Sequence, residues 1–217
     1  MTAGAKPYGS AGFCLGWCEK ICPAGAKSST GSGGMSFSAA MPAAYRTRLR
    51  SLHRALGIPA DYGARRHLPW QREARRLVTV GRAVDDGKPV RLAPRAAAAW
   101  RRMFATAARD GVALLPLSGY RSIARQAAII RQRLAAGETL AGILQLVAAP
   151  GCSEHHTGCA LDIGSPDDPK LDVHFAKTRE FRWLKQHGSD FGFYLSYPRK
   201  NAHGIAYEPW HWCWKNR

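Results

Sequence analysis

The sequence predicts a single α+β domain, a small antiparallel sheet flanked by helices, and three observations carry that prediction. Apolar residues recur at spacings of three and four in residues 42–56, 94–108 and 122–148, the period of helices with one buried face. Residues 112–117, 158–163, 191–197 and 207–214 are instead short apolar or alternating runs bounded by glycine and proline, which read as strands. The 217 residues, 46% hydrophobic and 22% charged, suffice for one real core, which excludes a disulfide-stapled miniprotein and wholesale disorder.

Residues 1–41 stand apart, rich in Gly, Ala, Ser and Cys, with a linker-like run at 28–34 just before a second methionine, Met35. They are read as disordered or dispensable, and the domain is placed at 42–217. From Pro42, the residues Tyr45, Leu49, Leu52 and Leu56 line one helical face, which Gly57 and Pro59 close. Pro94 suits the first position of the next helix, with Trp100, Phe104 and Ala108 facing inward and Gly111 as the stop. The strand at 112–117 ends where Ser118-Gly119 forces a turn. Ser122 then caps a helix carrying Ile123, Ala127, Ile130 and Leu134, and Thr139 opens a shorter one reaching Ala148. Beyond Pro150-Gly151, residues 152–157 form a polar loop and 158–163 a buried strand. Thr178 caps a helix bearing Phe181, Leu184 and His187 that stops at Gly188, and the strands at 191–197 and 207–214 complete the sheet.

The formal net charge is +17, and it is unevenly spread: residues 46–133 hold 20 basic and 5 acidic side chains, residues 134–217 nine of each. Such a region attracts polyanions, whether nucleic acid, anionic lipid or acidic wall polymer, although a solvated arginine-rich surface gives the same numbers. Aromatics barely interleave with the arginines, and no nucleic-acid motif is present. No apolar run approaches the ~18 residues that span a bilayer, and the run at 11–17 is short for a secretory segment, so neither a membrane span nor a signal peptide is read. By sequence the expected compartment is the cytoplasm, where six cysteines (Cys14, Cys18, Cys22, Cys152, Cys159 and Cys213) are thiols by default. The first three lack the C-x2-C spacing of common zinc and iron–sulfur sites.

Chemistry concentrates in two stretches. In a strand at 158–163, Gly158, Ala160 and Asp162 share one face, so a carboxylate emerges among small neighbours, and His155 in the preceding loop reaches the same place. In 207–214, Glu208 and His211 sit among alternating tryptophans, with His211 on the face opposite to them. Two histidines and an aspartate make a zinc set with a fourth position left for water. Cys159 faces away from Asp162, and Cys213, two residues beyond His211, is about 6–7 Å farther along, too far to ligate directly.

Residues 153–162 read S-x-H-x-x-G-x-A-x-D, residues 208–211 read E-P-W-H, and Ser118-Gly119-Tyr120-Arg121-Ser122 reads S-G-Y-R-S. In order and separation these motifs resemble the zinc D-alanyl-D-alanine carboxypeptidases and dipeptidases of the vancomycin-resistance type, over roughly Pro42 to the end. The resemblance implies a zinc cofactor held by His155, Asp162 and His211, Glu208 as catalytic base, Arg121 as stabiliser of the oxyanion, and Ser153 as a contact for the substrate's terminal carboxylate. One difficulty is geometric: residues three apart fall on opposite faces of a regular strand, so Glu208 and His211 converge only if Pro209 makes the entry irregular.

The implied reaction is hydrolysis of a terminal D-Ala-D-Ala or similar D-amino-acid bond in a peptidoglycan stem peptide. The alternatives are a D-Ala-D-Ala dipeptidase, a wall endopeptidase of the same architecture, or a non-catalytic zinc- or polyanion-binding module. The implied substrate places the chain in the cell envelope, against the compartment read from the sequence. A chain starting at Met35 is expected to keep fold, zinc and activity. Loss of soluble expression or of zinc in that variant would make the cysteine-bearing segment part of the domain.

Overall fold

A computed structural model describes residues 41–216; Cys14, Cys18, Cys22, the 28–34 run and Met35 lie outside the described residues. Helices α1 (Ala43–Ala55) and α2 (Tyr62–Arg65) lead to a hairpin of β1 (Val78–Arg82) and β2 (Pro89–Leu92) and then to α3 (Pro94–Arg109). There follow β3 (Leu115–Ser118), α4 (Ile123–Ala135), α5 (Leu140–Leu146), β4 (Ala160–Gly164), α6 (Arg179–His187), β5 (Phe193–Leu195) and β6 (His211–Trp214). The last four strands pair antiparallel in the order β3-β4-β6-β5. The α+β architecture is the expected one. The hairpin and α2 fall in residues 60–93, to which the sequence reading assigned no element.

The helix boundaries follow from local chemistry. Each N-terminus leaves backbone donors unpaired, and in α4, α5 and α6 a hydroxyl accepts one of them. Ser122 Oγ accepts from Arg125 N (3.1 Å), Thr139 Oγ1 from Gly142 N (3.2 Å) and Thr178 Oγ1 from Phe181 N (3.1 Å). Pro94 begins α3, where its missing N–H costs nothing. The inward stripe of α3 differs from the expected one: Ala96, Ala97, Ala99, Trp100, Met103 and Ala107 are buried, whereas Phe104 is half-buried and Ala108 exposed. Alanines occur around the whole helix, so Met103 fixes the stripe as much as Trp100 does.

The four-stranded sheet separates an apolar layer from a polar one. β4 is buried along its whole length, with Leu161 and Ile163 in a core that also holds Trp100, Met103, Phe175, Leu184, Phe193 and Trp212. Alternation sends Asp162 to the opposite face. A second apolar cluster, including Tyr62, Ala127, Ile130, Ile143 and Tyr197, packs α2, α4 and α5 together.

All four strand readings began too early: the one at 112–117 is β3 from Leu115, the one at 191–197 is β5 over Phe193–Leu195 alone, and the other two have local causes. Gly158 does not begin β4: at φ +68° it ends a 3-10 turn (Glu154–Thr157), and a Cβ there would stand 2.8 Å from Ala93 N. Residues 207–210 form an irregular entry and β6 starts at His211, whose N–H donates to the Glu208 carbonyl (3.1 Å). Gly158→Ala is expected to cost ~1–2 kcal/mol for the left-handed backbone plus the clash with Ala93. Gly87→Ala, at φ +66° with nothing within 4 Å of the added carbon, bears the backbone cost alone. Urea denaturation of both variants checks this: equal losses would mean that Ala93 does not confine the turn.

Candidate metal centre

The S-G-Y-R-S turn and the 153–157 loop are fastened to each other by backbone and imidazole groups. His155 Nδ1–H donates to Gly119 O (2.6 Å), Arg121 N–H donates to His155 O (3.2 Å), and His156 Nδ1–H donates to Arg121 O (2.6 Å). His156 is fully buried, and its Nε2 accepts from Gly151 N (3.0 Å). Burial pushes His156 down to about 4, so the ring stays neutral and can serve as donor and acceptor at once. Gly119 must be glycine, because a Cβ would run into the Arg91 carbonyl of β2.

Register brings the remaining groups together. β4 and β6 pair with Asp162 directly opposite His211, and the 3-10 turn delivers His155 from the side. Asp162 Oδ2 lies 3.3 Å from His155 Nε2, and Asp162 Oδ1 lies 3.1 Å from His211 Nδ1. One ligand atom from each residue lies within 4.8 Å of the others. Donors around a tetrahedral zinc at ~2.1 Å are about 3.4 Å apart, so this set fits the ion in chemistry and in spacing. Because a carbonyl only accepts, Gly119 O fixes the His155 proton on Nδ1 and leaves the Nε2 lone pair for a metal.

The charges around Asp162 balance. Burial alone would raise its carboxyl, but His155 and His211 hold it well below the usual carboxylate range. Burial opposes charge on His211 too, yet its bonds to Asp162 and Glu154 push it up to about 10. His155 is lowered, chiefly by burial.

Of the other expected residues, Glu208 is buried with Oε2 3.7 Å from His211 Nδ1, so the irregular entry at Pro209 lets both converge. Burial raises its carboxyl to about 7, the range of a group that takes and returns protons near neutrality. Arg121 Nη2 stands 3.8 Å from Asp162 Oδ2 and 3.3 Å from Ser118 Oγ, while Nη1 donates to Gln126 Oε1 (3.2 Å). Ser153 is buried at the start of the 3-10 turn, and its hydroxyl caps nothing. His203, outside all three motifs, donates through Nδ1 to Arg66 O (2.9 Å). Cys152, Cys159 and Cys213 are free thiols whose pKa values burial raises, Cys152 to about 12, which makes them poor ligands.

Three site residues escaped the sequence reading. Glu154 Oε2 accepts from His211 Nε2 (3.0 Å). Gln126 is buried on α4, its Nε2 donating to Ala148 O (2.6 Å) while its Oε1 holds Arg121. Tyr197 packs its ring 4.8 Å from that of His211. Gln126 alone left a trace, as a polar residue within the apolar stripe of Ile123, Ala127 and Ile130.

Two histidines and an aspartate that converge in this way are the donor set of a zinc centre with one position left open. Comparison with known proteins supplies the family. Residues 89–217 match the model of VanY, D-alanyl-D-alanine carboxypeptidase, and the chain belongs to that family. It is 40% identical over 121 residues to a putative carboxypeptidase, YodJ, of Bacillus subtilis (strain 168), covering 54% of this chain and 43% of the relative. It is 36% identical over 128 residues to VanXYC of Enterococcus gallinarum, a bifunctional D-Ala-D-Ala dipeptidase and carboxypeptidase, covering 56% and 66%. The chain thus spans less than half of one relative and about two thirds of the other. Among solved structures, the LdcB LD-carboxypeptidase aligns with a TM-score of 0.61 at 30% identity over 67% of this chain and 71% of that one. A VanY D,D-pentapeptidase in complex with Zn(II) aligns at 0.51 and 28%, over 66% and 80%.

Proposed function

We propose that this chain is a zinc-dependent peptidase that hydrolyses the terminal D-Ala-D-Ala, or a similar D-amino-acid bond, of peptidoglycan-type stem peptides. The observation that carries this reading is the convergence of His155, Asp162 and His211 beside a buried Glu208. The family and the Zn(II) complex of its relative support it.

Zinc bound by these three side chains would polarise the scissile carbonyl and lower the pKa of a water to about 7. Glu208 takes the proton of that water on its carboxylate and returns it to the leaving amine. Burial has brought its proton affinity to the range where both transfers are easy. Arg121, held by Gln126 and Ser118, presents its guanidinium to the negative charge that develops on the carbonyl oxygen. Ser153, whose hydroxyl caps nothing, is the proposed donor to the substrate's terminal carboxylate. Residues 1–41 take no part in this scheme.

The likeness to LdcB favours a second reading in which the cleaved bond is of the L,D type. Mass-spectrometric analysis of products from tripeptide, tetrapeptide and pentapeptide stems separates the two: loss of one residue from the pentapeptide alone marks D,D-cleavage. Release of intact D-Ala-D-Ala dipeptide, or cuts within cross-linked stems, would favour the dipeptidase or endopeptidase instead.

Such substrates place the proposed site of action in the cell envelope; among the described residues, no helix is long and apolar enough to cross a membrane. The basic residues of 46–133 other than Arg121 would then dock on an anionic polymer without touching the bond-breaking step. Binding of a wall polymer should weaken steeply with salt while turnover of a short neutral peptide barely changes; salt-independent polymer binding would reduce the region to a solvated surface.

Variants test the residue roles. Glu208→Ala should keep metal and fold and lose about 10²- to 10⁴-fold in single-turnover rate. Arg121→Ala should also keep zinc and lose on the order of 10²-fold or more. His211→Ala should lose metal and activity together. Loss of zinc from the Glu208 variant would make that residue a ligand, and unchanged turnover would make the motif structural.

A further inference from the structure

The 3-10 turn that carries His155 also reaches across to the last strand. Glu154 is adjacent to His155 in sequence, yet its carboxylate lies 3.0 Å from Nε2 of His211, a residue 57 positions away. The side chain retains only 20% of its exposure, so this carboxylate is mostly withdrawn from water and faces an imidazole that is itself buried. A buried carboxylate needs partners that stabilise its charge, and the His211 N–H is the foremost of them, with the Ser196 hydroxyl and the charge of Lys215 beside it.

The two ring nitrogens of His211 point in divergent directions. Nδ1 faces Asp162 (3.1 Å), on the side where the ligand atoms converge, while Nε2 faces Glu154 on the far side. Glu154 is therefore placed to act on the ring and not to join the ligand set. Tyr197 lies against the same ring, with centroids 4.8 Å apart, so the imidazole is confined on its face as well as at its far edge. His155 has a comparable arrangement, its Nδ1 held by the Gly119 carbonyl. The two imidazoles thus have partners of different kinds: a neutral carbonyl behind one, a full negative charge behind the other.

We propose that Glu154 is a positioning residue for the metal centre: by accepting the Nε2–H of His211 it fixes that ring with Nδ1 toward the metal and raises the ring's strength as a donor. The proposal rests on the zinc reading above and adds to it a residue outside the ligand and base set. Partners of this kind typically alter metal affinity by 10- to 100-fold.

The test is zinc affinity of the full chain, measured by competition with a chromophoric chelator, for wild type, Glu154→Gln and Glu154→Ala. The Ala variant should bind zinc about 10- to 100-fold more weakly. The Gln variant, which keeps an acceptor oxygen but no charge, should fall between. The visible absorption of the Co(II)-substituted protein should shift in the Ala variant and return toward wild type in the Gln variant, a signature that a merely structural role would not give. If the Ala variant fails to fold, as judged by circular dichroism of the metal-free protein, the Gln variant carries the test. Affinity within about twofold of wild type in the folded variants, or tighter binding, would overturn the proposal. His211→Ala in the same assay keeps the two readings apart, because retained zinc there would fault the ligand set itself.

Discussion

A single buried charge organises the molecule. Asp162 lies in one of the two central strands of the sheet with almost no exposure, and a carboxylate so placed is tolerated only when cationic or hydrogen-bonding groups surround it. Here these are His155, His211 and, at longer range, Arg121. Each comes from a different segment: a turn, a neighbouring strand and a loop. The requirement to satisfy one carboxylate therefore fixes how three distant parts of the chain meet.

Around that charge, the packing has two registers of precision. On the apolar face of β4 and β6, Leu161, Ile163 and Trp212 enter a core where neighbouring side chains of similar volume would serve. On the polar face almost every contact is a hydrogen bond of defined direction. Gly119 O, Arg121 O and Gly151 N each engage a particular nitrogen of a particular histidine. Small residues make this possible, since Gly119 lets β2 pass close behind the turn and Gly158 lets the chain reverse into β4. The free energy that stabilises the fold comes mainly from the first face, and the geometry of the site from the second.

How much of this was legible in the sequence depended on the range of the interaction concerned. Ser122, Thr139 and Thr178 were readable as caps because a cap is settled within four residues. The motif residues were readable because they stand together in 153–162 and 208–211. The signal of the hairpin was legible too, although no element was assigned there: Asp86-Gly87 lies between Val78-Thr79-Val80 and Val90-Arg91-Leu92, an alternating pattern about a turn. Glu154 and His156 were not, because their partners, His211 and the Arg121 and Gly151 backbone, are identified only once the loops are in contact. The extent of β6 also exceeded what alternation could tell, since Pro209 breaks the ladder before Trp210.

The stretch before the hairpin bears on how this domain can be divided. Gln71 N donates to Gly151 O (2.6 Å), Ala74 N donates to His156 O (2.8 Å), and Glu73 accepts from Ile123 N (2.7 Å) at the head of α4. All three donors or acceptors on this strap precede residue 89, where the family match begins. The edge of the family match and the edge of the hydrogen-bonded body are therefore not the same: recombination at residue 89 would sever bonds to the backbone behind the histidines. In this chain the hydrogen-bonded body extends at least to Gln71, and any exchange of parts has to carry the strap along with the loops it grips.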